Sequence, residues 1–234
     1  MTADNHRVLL FDIDCTLLNP AGEGRIYLSQ ALEEVFGTAG PIADFPMAGK
    51  TDWQIVTELM TLVGISPKQI DAGREAAFAA YARLIAEAAP ILKMTVLPGV
   101  QTLLGALSQQ LEFALGLVTG NVREAVPYKL RAVGIDPAQF TFGAYGSERL
   151  HRNDLPGLAI TRLEAKLGRT IDRVHVLVIG DTSRDIDCAR HAGAKVLAVA
   201  TGHSPVEELE KSSPDYVLEN LTDTEALLQI LHSY

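Results

Sequence analysis

Apolar residues along this chain follow two rhythms. Val8, Leu9, Leu10 and Phe11 form a short continuous run, the pattern of a strand buried on both faces of a parallel sheet. The run stops at Asp12 and Asp14, and loop chemistry follows through residues 19 to 24. Over residues 25 to 90 the rhythm becomes helical. Leu28, Leu32, Val35 and Phe36 share one face ahead of Gly37, and Ile55, Leu59, Leu62 and Val63 share another ahead of Gly64. An Ala-rich stretch over residues 71 to 89 carries Phe78, Tyr81 or Ala82, and Ile85 on one stripe. Three amphipathic helices without an intervening strand predict a small helical bundle.

From residue 98 strands and helices alternate. The pattern predicts strands over 113–118, 140–144, 174–179, 195–200 and 215–218. Helices are predicted over 99–110, 122–133, 156–167, 183–192 and 223–232. Such alternation implies a parallel sheet with helices on both faces, a doubly wound, Rossmann-like α/β fold. The first strand precedes the helical block, so the block reads as an insertion. Residues 1–20 and 93–234 are assigned to the α/β core and 21–92 to the inserted helical unit.

Composition narrows the function. The chain of 234 residues is 47% hydrophobic and 21% charged, enough to bury a sizeable core. Its net charge is −9 and it has no Lys/Arg-rich run, which argues against a nucleic-acid surface. No apolar run approaches the roughly 20 residues that span a bilayer. Residues 1 to 7 are polar, without the basic and apolar regions of a signal peptide. Two cysteines in a chain of this length predict no disulfide framework and fit a reduced, cytoplasmic setting. The six histidines lack metal-ligand spacing.

Open parallel sheets bind ligands beyond the carboxyl ends of their strands. Three predicted strand ends carry polar groups: Asp12, Asp14 and Thr16; Thr119 with Asn121; Asp181 with Asp185. Converging carboxylates repel one another unless a cation neutralises them. An oxygen-rich site of this kind suits Mg²⁺, shared with a substrate phosphate. Thr119 is placed to hold a phosphoryl oxygen, and a cation is expected on the opposite side.

The stretch from Asp12 to Thr16 resembles the DxDxT signature of the haloacid-dehalogenase-like hydrolases. Thr119 at a strand end matches that family's second motif, and Gly180-Asp181-Thr182-Ser183-Arg184-Asp185 matches its acidic GDxxxD motif. The resemblance covers nearly the whole chain, with residues 21–92 in the place of the family's helical cap and Leu97-Pro98-Gly99-Val100 at the re-entry to the core. It implies a phosphatase, similar to phosphoglycolate phosphatase, acting on a phosphorylated small molecule. Asp12 is then the nucleophile, forming an aspartyl-phosphate. Asp14 protonates the leaving oxygen and later activates water. Mg²⁺ is held by Asp12, the backbone carbonyl of Asp14, Asp181 and Asp185, the last directly or through water. Thr16, Gly120 and Asn121 line the substrate phosphate.

One position departs from the resemblance. The family usually has a Lys some 25 to 30 residues before its GD pair, and none stands there. Arg152, 28 residues before Gly180, has the matching spacing; Arg149 and Lys166 are the alternatives. In the helical insertion, Gly49-Lys50-Thr51-Asp52 precedes a helix. Thr51 or Asp52 is a plausible N-cap, and Lys50 or Trp53 is placed to contact substrate. Gly22-Glu23-Gly24 reads as a hinge for the cap or as a plain loop. Cys15 lies among acids, which disfavours a reactive thiolate. The rival readings are a phosphosugar mutase resembling β-phosphoglucomutase and a non-catalytic phosphoryl-binding or regulatory module, with monomer and homodimer both open. Asp14 argues against a 2-haloacid dehalogenase.

Overall fold

The structure, a computed structural model, describes residues 7–233; the polar opening segment before Arg7 lies outside them. In chain order the elements begin with β1 (Arg7–Phe11) and β2 (Leu18–Asn19). Three helices follow, α1 (Glu23–Phe36), α2 (Asp52–Leu62) and α3 (Pro67–Ala88). Next come β3 (Thr95–Val96), α4 (Val100–Leu107), β4 (Phe113–Thr119), α5 (Val126–Ala132) and β5 (Phe142–Tyr145). The chain continues through α6 (Asp154–Leu167), β6 (Val176–Gly180), α7 (Ser183–His191) and β7 (Lys195–Val199). It closes with α8 (Val206–Lys211), β8 (Tyr216–Leu218) and α9 (Thr224–Ser233).

Six strands form one sheet in the order β5-β4-β1-β6-β7-β8, with every neighbouring pair parallel. The fold is doubly wound, and β1 sits where the strand order reverses. Alternation along β1 divides the core between the two faces. Leu9 and Phe11 pack with Leu103, Leu107, Leu130 and Leu227, from α4, α5 and α9. Val8 and Leu10 pack with Leu155, Ile160, Ile186 and Leu209, from α6, α7 and α8. β1 is thus buried on both sides, as its uninterrupted apolar sequence requires.

The helices α1, α2 and α3 share a separate apolar cluster that includes Leu28, Leu32, Val56, Leu59, Phe78 and Ile85. This block leaves the sheet domain after β2 and returns at β3. The two strands pair antiparallel, Leu18 with Val96 and Asn19 with Thr95. Two residues per strand are too short for an alternating pattern to register, so this pair is absent from the sequence expectation. Beside it, the buried Glu23 carboxylate accepts the Lys93 N–H at 3.1 Å.

Other boundaries differ for local reasons. α3 begins at Pro67, four residues before the Ala-rich stretch, because Ser66 and Gln69 form a capping box and Pro67 fits the first turn. The helix expected from residue 122 starts only at Val126. The Val122 N–H is instead taken by the Asp52 carboxylate at 2.7 Å, and Pro127 occupies the first turn. Val174 and His175 lie in a short 3₁₀ turn ahead of β6 rather than in the strand, with the Asp172 side chain accepting the Val174 N–H.

The N-terminus of α2 is fastened to the core. Its Asp52 N–H donates to Gly120 O at 2.7 Å, and Trp53 N–H to Gly146 O at 3.1 Å. The Thr51 hydroxyl donates to Leu150 O at 2.8 Å. A Cβ on Gly120 would run into the Lys50 carbonyl, and one on Gly146 into the Gly120 carbonyl. Glycine at both positions lets these backbones approach.

Candidate active site

The carboxyl ends of β1, β4 and β6 meet at the switch point, and the expected side chains gather there in two groups. The first is acidic. Asp12, directly after β1, is 6% exposed; Asp181, after β6, is 4% exposed; Asp185, in the first turn of α7, is fully buried. One carboxylate oxygen from each lies within 4.8 Å of the others. Arg152, itself buried, places Nη2 3.1 Å from Asp12 Oδ2 and also pairs with Asp185 Oδ1. The second Asp185 oxygen accepts the Thr182 N–H at 3.0 Å and the Thr182 hydroxyl at 2.6 Å. Asp185 therefore caps α7 while facing Arg152. The Thr16 hydroxyl donates to Asp181 at 3.3 Å.

Charge in this group does not balance. Three buried carboxylates face one guanidinium. Burial pushes Asp12 up to about 6 despite Arg152, with Asp185 and Asp14 adding repulsion. Burial, then Asp185 and Asp12, push Asp181 up to about 8. A divalent cation would supply the missing positive charge, and the all-oxygen donor set suits Mg²⁺. The residues present thus fit such an ion through Asp12, Asp181 and Asp185. The ligand expected from Asp14 is its backbone carbonyl, and its carboxylate points elsewhere.

The second group surrounds that carboxylate. Lys129, on α5 and fully buried, sets Nζ 2.6 and 2.7 Å from the two Asp14 oxygens. The same Nζ lies 2.5 Å from Asn121 Oδ1. Asn121 Nδ2 donates to Asp14 Oδ2 at 2.9 Å and to the Thr119 hydroxyl at 2.8 Å. Asp14 is thereby held from two sides, with its direction fixed. Asp52, from α2, enters the same area. Burial pushes its carboxyl up to about 7, against the pull of nearby Lys129 and the Val122 N–H.

Lys129 was missing from the sequence expectation. The signal was present: it sits between Val126, Leu130 and Val133, all buried on one face of α5. A lysine in the middle of an apolar stripe needs a buried acid. Which acid it meets depends on how α5 packs against the end of β1, which spacing alone does not reveal.

Of the three cations considered, Arg152 reaches Asp12. Arg149 is exposed and donates to Glu148 O at 2.7 Å, and Lys166 is exposed near the end of α6. Lys50 lines the cavity, but its ammonium pairs with Glu58 at 2.5 Å and lies 4.3 Å from the Phe45 ring centroid. Trp53 is covered by the Arg74 guanidinium at 3.8 Å. Thr51, rather than Asp52, caps α2, accepting the Gln54 N–H at 3.0 Å. The Cys15 thiol is pushed up to about 12 by burial and then by Asp181, Asp14 and Asp12, in keeping with an unreactive side chain. Gly120 and Asn121 line the cavity together with Asp12 and Asp14. That cavity, about 650 Å³, runs from these acids to Phe45, Met47, Ile55 and Tyr81 of the helical insertion.

Comparison with known proteins places this geometry among relatives. A family model described as HAD-hydrolase-like matches residues 155–224. Phosphoglycolate phosphatase of Vibrio vulnificus is 27% identical over 225 residues, 94% of this chain and 95% of its own length. A pyrophosphatase of Anoxybacillus flavithermus is 30% identical over 139 residues, 58% of this chain and 59% of its own. Among solved structures, a hydrolase from Pseudomonas syringae matches with a TM-score of 0.67 at 22% identity, covering 97% of this chain and 99% of that one.

Proposed function

We propose that this chain, which is similar to phosphoglycolate phosphatases over nearly its whole length and to a HAD-hydrolase-like family model over residues 155–224, hydrolyses a small-molecule phosphate monoester with Asp12 as the nucleophile. The observation that carries this reading is the pairing at the sheet switch point. A buried carboxylate faces a buried guanidinium on one side of the cavity, and a second carboxylate is held by a buried ammonium on the other.

The sequence of events follows from those positions. Arg152 steers the phosphoryl group toward Asp12, while the buried Thr119 hydroxyl accepts the Asn121 Nδ2–H at 2.8 Å and so fixes the side chain that holds Asp14. An Asp12 oxygen forms a bond to phosphorus as the ester oxygen leaves, and Asp14 gives that oxygen a proton. Asp14 then takes a proton from water, which attacks phosphorus, releases phosphate and restores Asp12. Asp12, Asp181 and Asp185 would hold a Mg²⁺ ion, whose positive charge would let a carboxylate approach a phosphate dianion. Lys129 and Asn121 hold Asp14 on the leaving-group side throughout. The helical block of residues 21–92 serves as a cap that excludes water from the cavity. Among the described residues no helix is long and apolar enough to cross a membrane.

The test is phosphate release by purified protein from p-nitrophenyl phosphate and a panel of phosphorylated metabolites. The expected result is release with Mg²⁺ that stops with EDTA. Failure of every compound in the presence of Mg²⁺ would overturn the reading.

A further inference from the structure

Beyond the reacting groups, the cavity holds a polar pair that the hydrolytic steps leave unused. Tyr81, on α3, is only 2% exposed and lines the cavity. Its hydroxyl has no hydrogen-bond partner among the described residues. The phenol oxygen lies above Gly24, where an added Cβ would sit at 3.4 Å from it. Asp52, at the start of α2, lines the same cavity; its Oδ2 accepts the Val122 N–H, and its other oxygen has no hydrogen-bond partner among the described residues. Burial holds the phenol proton on Tyr81 well above the ordinary range, reinforced by Asp52 and Asp14 nearby. Neither atom is sealed from the cavity, so a ligand group there could take the place of water as the partner of both.

We infer that Asp52 and Tyr81 form a subsite for a hydroxyl of the leaving group, so that the preferred substrates are phosphate esters of uncharged polyols or sugars rather than of hydroxy acids. This inference rests on the phosphatase reading above. An alcohol both donates and accepts, matching one free carboxylate oxygen and one phenol O–H. A substrate carboxylate beside the ester oxygen would instead meet Asp14 and Asp52, two acids facing one lysine. Like charges in that setting repel strongly.

The other cations on the cavity wall are engaged. Lys50 is paired with Glu58, and Arg152 with Asp12 and Asp185. Arg25 gives two N–H groups to the Ile42 and Phe45 carbonyls, which shapes the loop between α1 and α2. The cavity of about 650 Å³ far exceeds a two-carbon hydroxy acid and accommodates a sugar.

The experiment compares kcat/KM for glycerol 3-phosphate, ribose 5-phosphate, 2-phosphoglycolate and p-nitrophenyl phosphate, in wild type and Tyr81→Phe. The substitution removes an O–H with no protein partner, so folding is expected to be retained, as thermal melting will check. Wild type should favour the two polyol esters over 2-phosphoglycolate. Tyr81→Phe should lower the ratio of kcat/KM for the polyol esters to that for p-nitrophenyl phosphate by up to about tenfold. Asp52→Asn should raise 2-phosphoglycolate relative to the polyol esters, because it removes a repelling charge. A wild-type preference for 2-phosphoglycolate, or an unchanged ratio in Tyr81→Phe, overturns the subsite while leaving the phosphatase intact. Hydrolysis of none of the four overturns the phosphatase reading itself.

Discussion

The two halves of this cavity solve the same electrostatic problem differently. On the phosphoryl side, three buried acids from the ends of β1 and β6 and the start of α7 face one cation, Arg152. On the leaving-group side, Asp14 and Asp52 face Lys129, with Asn121 completing the hydrogen bonds. The first half is left with the larger excess of negative charge, which a divalent ion can neutralise; the second has one cation for two acids. The first half is built by the core alone, whereas the second joins β1, α5 and the inserted helix α2. Metal dependence should therefore belong to the first half and leaving-group selectivity to the second.

The sharpest way to break this division is at Asp12. Asp12→Asn is expected to cut phosphate release at least about a thousandfold on every substrate, since the bond to phosphorus needs a carboxylate oxygen. Substantial turnover by this variant would move the chemistry to another residue.

Arg152 comes next. Arg152→Ala leaves Asp12 and Asp185 buried beside uncompensated charge, at a cost of ~3–5 kcal/mol in stability plus most of the activity. Arg152→Lys keeps the charge and drops the Nε–H, which is buried without a partner. It should retain more activity than Arg152→Ala, by at least ~10-fold in kcat/KM, and chemical denaturation should place its stability nearer wild type. Equal loss in both variants would mean that the planar guanidinium, rather than its charge, is required.

The third test addresses the other half. Lys129→Met releases Asp14 from its fixed direction. An acid that protonates the leaving oxygen matters most when that oxygen is a poor leaving group. The expected loss is on the order of 10²-fold with an alkyl phosphate and clearly smaller with p-nitrophenyl phosphate. A uniform loss would mark Lys129 as structural.

The smallest effect is read as stability against pH in metal-free protein. Asp12 and Asp181 are pushed up from 3.8 to about 6 and about 8 in the folded state. Between about pH 4 and about pH 8 the folded chain thus binds more protons than the unfolded one, so stability falls as pH rises through that window. Melting in EDTA should show a midpoint several degrees lower near the upper end than near the lower, at ~2–4 °C per kcal/mol for a chain of this size. Mg²⁺ should restore the upper-end value, because it binds the assembled acids and not the unfolded chain. A midpoint indifferent to both pH and Mg²⁺ would erase the contrast between the halves.

The phosphoryl half was the more legible from sequence. Asp12, Thr119 and Asp181 each end or follow an apolar run that suits a buried strand, and strand ends on one edge of a parallel sheet converge by topology. Arg152 was legible by spacing, though two other cations competed until burial and contact with Asp12 separated them. The leaving-group half was much less so. Lys129 lies eight residues past Asn121 in a helix that starts later than its pattern suggests, and Asp52 read as a possible helix cap.

What the chain determined by itself was local and periodic: strands where apolar runs end in acids, helices where apolar positions recur with a helical period, and an inserted block where no strand interrupts them. These follow from backbone hydrogen bonding and side-chain spacing, which neighbouring residues largely dictate. What only the tertiary structure decided were the partners of buried charge. Lys129 with Asp14, Asp52 with the Val122 N–H, and Tyr81 at the cavity wall depend on how α2, α3 and α5 close over the sheet. A buried charge must find its counter-charge across space, and no periodicity along the chain specifies which one it meets.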